Sequence, residues 1–138
     1  MAASADVTRL RPESEKITIN LGYVDLGQID LMVRDGFYSN RTDFIRTAIR
    51  NQLERHDDAL KRSVSRHRLD LGLSHFSRQD LEAAKAAGQT LQIQVLGLAS
   101  IADDVSPELA LDTIASIRVL GSFQASRAVK AALVDRMS

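Results

Sequence analysis

Three polar side chains stand at alternate positions near the start of the sequence, at Lys16, Thr18 and Asn20. Their types suit hydrogen bonding to flat polar edges, because lysine donates, the asparagine amide donates and accepts together, and the threonine hydroxyl does either. On duplex DNA, lysine pairs with guanine, asparagine pairs with adenine in bidentate fashion, and threonine contacts polar edges or a thymine methyl group. A spacing of two residues puts all three on one side of a β-strand. The sequence therefore predicts a row of side chains able to read bases.

Apolar residues fill the positions between these side chains. Ile17, Ile19 and Leu21 alternate with the polar row, which predicts a short, half-buried strand over residues 16–21. A lone strand leaves its backbone N–H and C=O groups unpaired, and the N-terminal half offers no second strand pattern nearby. We therefore expect the partner to be the same strand of a second copy, in an antiparallel ribbon across a two-fold axis. The apolar side chains would enter a shared core, and the polar row would face a major groove.

Two helices are predicted directly after this strand. The first is expected to run from Asp25, as its N-cap, to about Asp35, and Gly36 stands where a left-handed residue commonly ends a helix. The second begins at Asn40, with Ser39 as a competing cap. A segment of about 40 residues is too short to bury a stable core alone, which also favours a dimer. The apolar stripe of the second helix is predicted to join the dimer core, with Phe44, Ile45, Ala48, Ile49 and Leu53.

The start of the second helix is the predicted contact for DNA phosphate. Ser39, Asn40 and Arg41 stand where free backbone N–H groups and the positive end of the helix dipole are expected. Such contacts fix the protein on the duplex without reading its sequence. For Arg46 and Arg50, phosphate contact and a solvated helix surface remain equal alternatives.

Residues 16–55 resemble the ribbon-helix-helix superfamily of bacterial regulators, in particular its CopG-like branch. The strand pattern carries the resemblance, together with the run Gly-Phe-Tyr-Ser-Asn-Arg-Thr-Asp-Phe-Ile-Arg at 36–46. The resemblance implies that the polar row reads bases and that Ser39 and Asn40 hold phosphate. Members commonly have a Pro-rich or acidic turn after the strand, whereas this chain has Gly-Tyr-Val-Asp at 22–25. That departure leaves the start of the first helix open.

A repeat of 24 residues marks the C-terminal part of the chain. Ile-Gln-Val-Leu-Gly at 93–97 recurs as Ile-Arg-Val-Leu-Gly at 117–121, and a fainter copy, Leu-Gly-Leu, stands at 71–73. Each unit is predicted to contain a short strand, a turn at the glycine and a helical segment, and units of this kind stack around a continuous core. We recognise no family in residues 69–138, and we expect them to set oligomeric order or to bind a partner.

The predicted organisation has four parts. They are a disordered arm at 1–15, a ribbon-helix-helix DNA-binding domain at 16–55, a helical extension or linker at 56–68, and an α/β module of strand–helix repeats at 69–138.

Several other functions find no support in the sequence. The chain has no Cys, which removes disulfides, thiolate ligands and thiol nucleophiles. His56, His67 and His75 lack the i, i+4 spacing of a helical metal pair, so we expect neither metal nor cofactor. Without a phosphate-binding glycine loop or a catalytic triad, an enzyme is not expected. We find no signal peptide and no apolar run long enough for a membrane span, and expect a cytoplasmic protein.

The predicted function is that of a homodimeric DNA-binding regulator of transcription, a repressor, which recognises a palindromic operator. Residues 69–138 could extend the dimer to a higher oligomer. Two alternatives remain: an antitoxin that autoregulates its operon, and a structural protein that assembles through its C-terminal repeats. The 18 basic and 18 acidic residues balance, so net charge decides nothing and the placement of charges carries the argument.

Overall fold

A computed structural model of the protein describes residues 14–138. These residues divide into two compact units, Ser14–Ser63 and the chain from Val64 to Ser138. The boundary falls within the segment predicted as a helical extension or linker. The predicted disordered arm at 1–15 lies outside the described residues except for its last two positions.

The N-terminal unit is helical. Its helices are α1 (Tyr23–Arg34), α2 (Arg41–Arg55) and the start of α3 (Asp57–Arg66), which continues across the unit boundary. Residues 15–22 form neither helix nor strand in the single chain. The strand predicted there requires a second chain, so it stays a prediction.

The beginning of α1 differs from the prediction. Asp25 is not the N-cap: the helix begins two residues earlier, and Gly22 in the cap position makes no side-chain hydrogen bond. Its backbone has the extended conformation usual for an N-cap, with φ −64° and ψ 153°, and glycine is tolerated at this position without a capping side chain. Asp25 lies in the first turn instead, where the helix dipole stabilises a carboxylate.

The end of α1 follows the predicted glycine stop. Gly36 has a φ of +85°, in the left-handed region that glycine adopts without steric cost. Its N–H donates to the carbonyl of Val33 at 3.1 Å, and the N–H of Phe37 donates to that of Met32 at 3.0 Å. This pair of bonds is a Schellman motif, which satisfies the last helix carbonyls and turns the chain towards α2.

The C-terminal unit alternates strands with helices. Its three strands form one parallel sheet in the order β1-β2-β3. The elements are β1 (Asp70–Phe76), α4 (Arg78–Ala86), β2 (Leu91–Ile101), α5 (Pro107–Thr113), β3 (Ile114–Gln124), α6 (Arg127–Leu133) and a 3-10 turn (Val134–Arg136).

The glycines of the repeat meet side by side in this sheet. Gly72 pairs with Gly97, and Gly97 pairs with Gly121. The predicted turn at each glycine is wrong, because all three lie inside strands. A Cβ on Gly97 would overlap the carbonyl oxygen of Gly72, and one on Gly121 would overlap that of Gly97. Glycine therefore lets the strands continue through a backbone approach that no other residue permits.

The core of this unit lies between the sheet and its helices. Alternate residues of β2, including Ile93 and Val95, form one buried cluster with Leu81 of α4, Ala110 of α5 and Val129 of α6. All three helices thus cover the same face of the sheet. Each begins at a serine whose hydroxyl accepts a hydrogen bond from the backbone three residues later: Ser77, Ser106 and Ser126.

Candidate nucleic-acid interface

The predicted base-reading row is open to solvent in the single chain. Lys16, Thr18 and Asn20 are all exposed, and no β-bridge joins residues 15–22 to any other residue between 14 and 138. The alternating apolar side chains are exposed as well, with Ile17 at 72% and Ile19 at 59% of their full surface. One segment thus presents polar and apolar side chains in alternation, and neither set is covered.

The rest of the predicted dimer core is also largely open. Phe44 and Ile45 are half-buried on α2, whereas the other members of the set remain exposed: Leu21, Ala48, Ile49 and Leu53. Among the described residues Ser14–Ser63, Ile29 is the one buried apolar side chain. A unit of this length normally buries much more of its apolar surface when it is stable alone.

An open groove lies on this unit beside Ile29. It has a volume of about 310 Å³ and is lined by four residues of α1, one residue just before α1 and one of α2, and four of the six are apolar. Its lining consists of Leu21, Asp25, Gln28, Ile29, Met32 and Phe44. One side is stiffened by Tyr38, whose ring meets that of Phe44 edge to face at a centroid distance of 4.9 Å.

The start of α2 is fixed by a reciprocal pair of hydrogen bonds. The side-chain oxygen of Asn40 accepts from the Asp43 N–H at 2.8 Å, and the Asp43 carboxylate accepts from the Ser39 N–H at 2.9 Å. Asn40 is therefore the N-cap, and Ser39 is not. The geometry of an α-helix leaves the N–H groups of Arg41 and Thr42 without intrahelical partners, so this helix start can still donate to an anion.

Arg41, the third predicted phosphate contact, is part of an ion pair between the two helices. Its Nε and Nη2 atoms donate to the two carboxylate oxygens of Asp30 at 2.7 and 2.8 Å. The hydrogen bond from Arg41 lowers the pKa of Asp30, so the pair stays ionised near neutral pH. Both side chains are about half exposed, and the pair occupies two of the five guanidinium N–H groups. The guanidinium is therefore held beside the α2 start with donor groups to spare.

Comparison with known protein families identifies the family of this chain. The sequence model of the ribbon-helix-helix transcriptional regulator family matches residues 12–130. The chain belongs to this family. Ribbon-helix-helix regulators bind DNA and typically dimerise. No curated protein and no solved structure matches the chain.

The family match reaches beyond the resemblance seen in residues 16–55. It takes in β1, β2 and β3, so the strand–helix part of this ribbon-helix-helix regulator belongs to the family pattern too. Sequence reasoning missed this extent, because a repeat of short strands and helices carries no motif with a known chemistry.

Sequence reasoning also missed Asp30. It lies 11 residues before its partner Arg41, which is not the i, i+3 or i, i+4 spacing that predicts a side-chain pair. The pair forms because α1 and α2 lie against each other after the Schellman turn. A pattern search along the chain therefore had no signal for it.

The histidines of this regulator form no metal site in the described part of the chain. Between residues 14 and 138, no three His, Asp or Glu side chains converge where they could hold a metal ion. The Nδ1 atom of His75 lies 2.7 Å from the hydroxyl of Ser100, and the Nε2 atom of His56 lies 3.2 Å from the amide of Gln52. The same residues contain no helix of the length and apolar character that a membrane crossing needs.

Proposed function

We propose that this protein is a CopG-like repressor that works in the cytoplasm as a homodimer. Residues 16–21 of two copies pair as an antiparallel ribbon, and the ribbon enters the major groove of an operator. The observation that carries the proposal is the alternation of exposed apolar and exposed polar side chains over a segment without a strand partner among the described residues. Pairing two copies would satisfy the backbone and bury the apolar side in one step.

The apolar side chains supply the free energy of association. Burying an Ile or Leu side chain contributes about 1.5–3 kcal/mol, so Ile17, Ile19 and Leu21 of two copies contribute on the order of 10 kcal/mol. Association itself costs about 4–15 kcal/mol. The free energy gained by burying the apolar side chains of the ribbon would therefore barely exceed the cost of association. The open side chains of α2, and a partner side chain in the groove beside Ile29, complete the core in this proposal.

The polar row then projects from the ribbon as six side chains. In this proposal Asn20 pairs with adenine, Lys16 contacts guanine or phosphate, and Thr18 contacts a polar edge or a thymine methyl group. A two-fold axis through the ribbon makes the preferred operator a palindrome. A ribbon seated in the groove of a promoter blocks other proteins from that DNA, which is why we propose repression as the output.

Selection of bound DNA from a random pool by the purified full chain tests the proposal. We expect an enriched palindrome whose half-site spacing reports how many dimers bind side by side. A regulator without base-specific contacts would enrich no sequence, and that result would overturn the proposed function. An antitoxin would also enrich an operator, but a structural protein assembling through its C-terminal repeats would form open-ended particles instead.

Asn20→Ala is expected to weaken binding to the selected operator by about 30-fold or more, because each of two asparagines contributes about 1–3 kcal/mol of base discrimination. Binding to unrelated DNA and the mass of the dimer should stay unchanged. Fluorescence anisotropy at fixed salt measures both affinities. Asn51→Ala is the matched control, since Asn51 is an exposed asparagine on α2 and should leave both affinities as they are. Unchanged operator affinity in Asn20→Ala would remove that residue from the base-reading row.

Arg41→Ala is expected to weaken binding to every DNA sequence alike. In our proposal Asp30 orients the guanidinium, whose remaining N–H groups meet a phosphate. The slope of log K against log salt should become shallower by about 2, one unit for each copy. Arg55→Ala is the matched control, because it removes the same charge from the last turn of α2, about 21 Å from the helix start. Equal slopes for the two variants would mean that Arg41 serves only the pair with Asp30.

A further inference from the structure

The face of the sheet opposite the helices carries five leucines in two rows. Side chains alternate between the two faces of a strand, and the buried residues of β2 lie on the helix side. The other side holds a first row that the register places side by side, and a second row two residues further along. The first row is Leu71, Leu96 and Leu120, and the second is Leu73 and Leu98 beside Ser122.

This leucine face is open within the described residues. Leu71 is 74% exposed, Leu73 69% and Leu120 54%, whereas Leu96 and Leu98 on the central strand are half-buried. Parallel sheets occur almost only with both faces covered, yet α4, α5 and α6 all pack on the other side. A contiguous exposed apolar patch on a folded unit marks an interaction surface. The leucine face therefore needs an occupant.

Charge narrows the choice of occupant. Besides its leucines, this face carries glutamine and serine, with His75 and Arg118 as its ionisable groups and no carboxylate. The helix side differs, since Arg78 and Lys85 form ion pairs there with acidic side chains. A leucine-rich surface with so few charged groups offers too little positive charge to bind a polyanion and no acidic group to bind a strongly basic protein. The partner that suits it best is another apolar surface of the same kind.

We propose that the leucine face packs against the same face of a second copy, across a two-fold axis. Stacked sheets of this kind lie about 10 Å apart and interdigitate their side chains. An interface of this type is self-complementary, because one patch serves both copies. Each copy would thereby give its parallel sheet the second cover that its own helices do not provide.

The size of the leucine face indicates whether the second copy is a free molecule or the partner in the same ribbon dimer. The strands have 7, 11 and 11 residues, and at about 3.3 Å per residue and about 4.8 Å between strands they cover about 450 Å² in each copy. A stable interface buries about 800 Å² on each partner, so this contact is too small to join two free molecules. A tether between the copies removes that shortfall by raising their effective concentration to about the millimolar range. The tether is the ribbon, and this step rests on the proposed function: the occupant is the other copy of the same ribbon dimer.

Footprinting of the purified full chain tests whether the face is covered. We expect carbene labelling to modify Leu71 and Leu120 severalfold less than Val134, although Val134 is 61% exposed in the single chain and lies outside the face. Leu73→Glu should raise labelling of Leu71 and Leu120 to about the level of Val134, whereas Val134→Glu should change nothing on the face. Leucines labelled as strongly as Val134 in the parent would overturn the inference.

A thiol cross-link identifies the occupant as a second copy. The chain has no Cys, so Leu96→Cys places a single thiol on the central strand of the face. A short bismaleimide should then join two chains on a denaturing gel, and Leu73→Glu in the same chain should abolish the product. Ala128→Cys, at an exposed position of α6 on the helix side, is the control expected to give little product. Covered leucines without a cross-link between chains would also overturn the inference.

Operator binding on the same samples separates this inference from the proposed function. Leu73→Glu leaves the polar row in place, so it should still bind the selected DNA. Operator binding by a parent whose leucines are fully labelled would overturn the leucine-face contact alone. Covered and cross-linked leucines in a chain that selects no DNA sequence would overturn the proposed function alone.

Discussion

Ile19→Asp is expected to abolish both the dimer and operator binding. Two isoleucines, one from each copy, would be replaced in the shared core, with a loss of about 3–6 kcal/mol of apolar burial. Two carboxylates would also have to leave water on the apolar side of the same ribbon. We expect the dimer dissociation constant to rise at least about 1,000-fold, which corresponds to about 4 kcal/mol. Sedimentation velocity over a concentration series measures this change, and fluorescence anisotropy measures the loss of DNA binding.

Tyr23→Asp is the matched control for this variant. Tyr23 is a large side chain four residues further on, 93% exposed in the single chain, and it lies outside the predicted dimer core. An Asp in the first turn of α1 is also favoured by the helix dipole. Tyr23→Asp should therefore remain a dimer that binds its operator. A stable dimer formed by Ile19→Asp would show that residues 16–21 do not make the dimer contact.

Sequence signals correctly predicted the helix boundaries in the N-terminal unit that depend on hydrogen bonds between residues close together in the chain. Gly36 marked the end of α1, and Asn40 with Asp43 marked the start of α2, because a glycine stop and a side-chain cap act within three or four residues. The start of α1 failed for the opposite reason. Gly22 offers no capping side chain, so nothing in the sequence distinguished it from the nearby Asp25 as the first boundary.

Contacts between separate helices and strands could not be predicted from the sequence. The pair of Arg41 with Asp30 depends on how α1 and α2 meet, and the sequence gives no spacing rule for it. The same holds for the C-terminal unit. The offset between Gly97 and Gly121 was visible, but glycine is typical both of turns and of close strand approach. Only the sheet register decides between these two roles, and it decides for close approach.

The candidate site likewise has a part that local sequence patterns predict and a part that depends on contacts they do not show. Periodicity alone grouped Lys16, Thr18 and Asn20 on one side and the apolar residues on the other, since a strand has a fixed period of two. Whether that strand exists depends on a second chain, which no periodicity in one sequence can show. The single chain provides the complementary observation. Six of the eight side chains predicted for the dimer core are exposed in the N-terminal unit, and Phe44 and Ile45 are half-buried.

Gly97→Ala is expected to disrupt the C-terminal unit, by more than about 4 kcal/mol of its free energy of unfolding. Two effects combine at this position. The φ of +137° strains any residue with a Cβ, at a cost of about 1–3 kcal/mol. The added methyl group would also overlap the carbonyl oxygen of Gly72 on the neighbouring strand, and a backbone atom cannot move aside without breaking the β1–β2 pairing.

Gly72→Ala separates the two effects. Gly72 has nearly the same backbone conformation, with φ +122°, but a Cβ there would meet nothing within 4 Å among the described residues. It should therefore cost only the strain of about 1–3 kcal/mol. Thermal unfolding followed by circular dichroism gives the two losses, at about 4–8 °C for each kcal/mol in a unit of this size. Hydrogen exchange of the β2 amides assigns them to the sheet. Equal losses in the two variants would mean that backbone conformation alone, and not the close approach of the strands, requires glycine in this repeat.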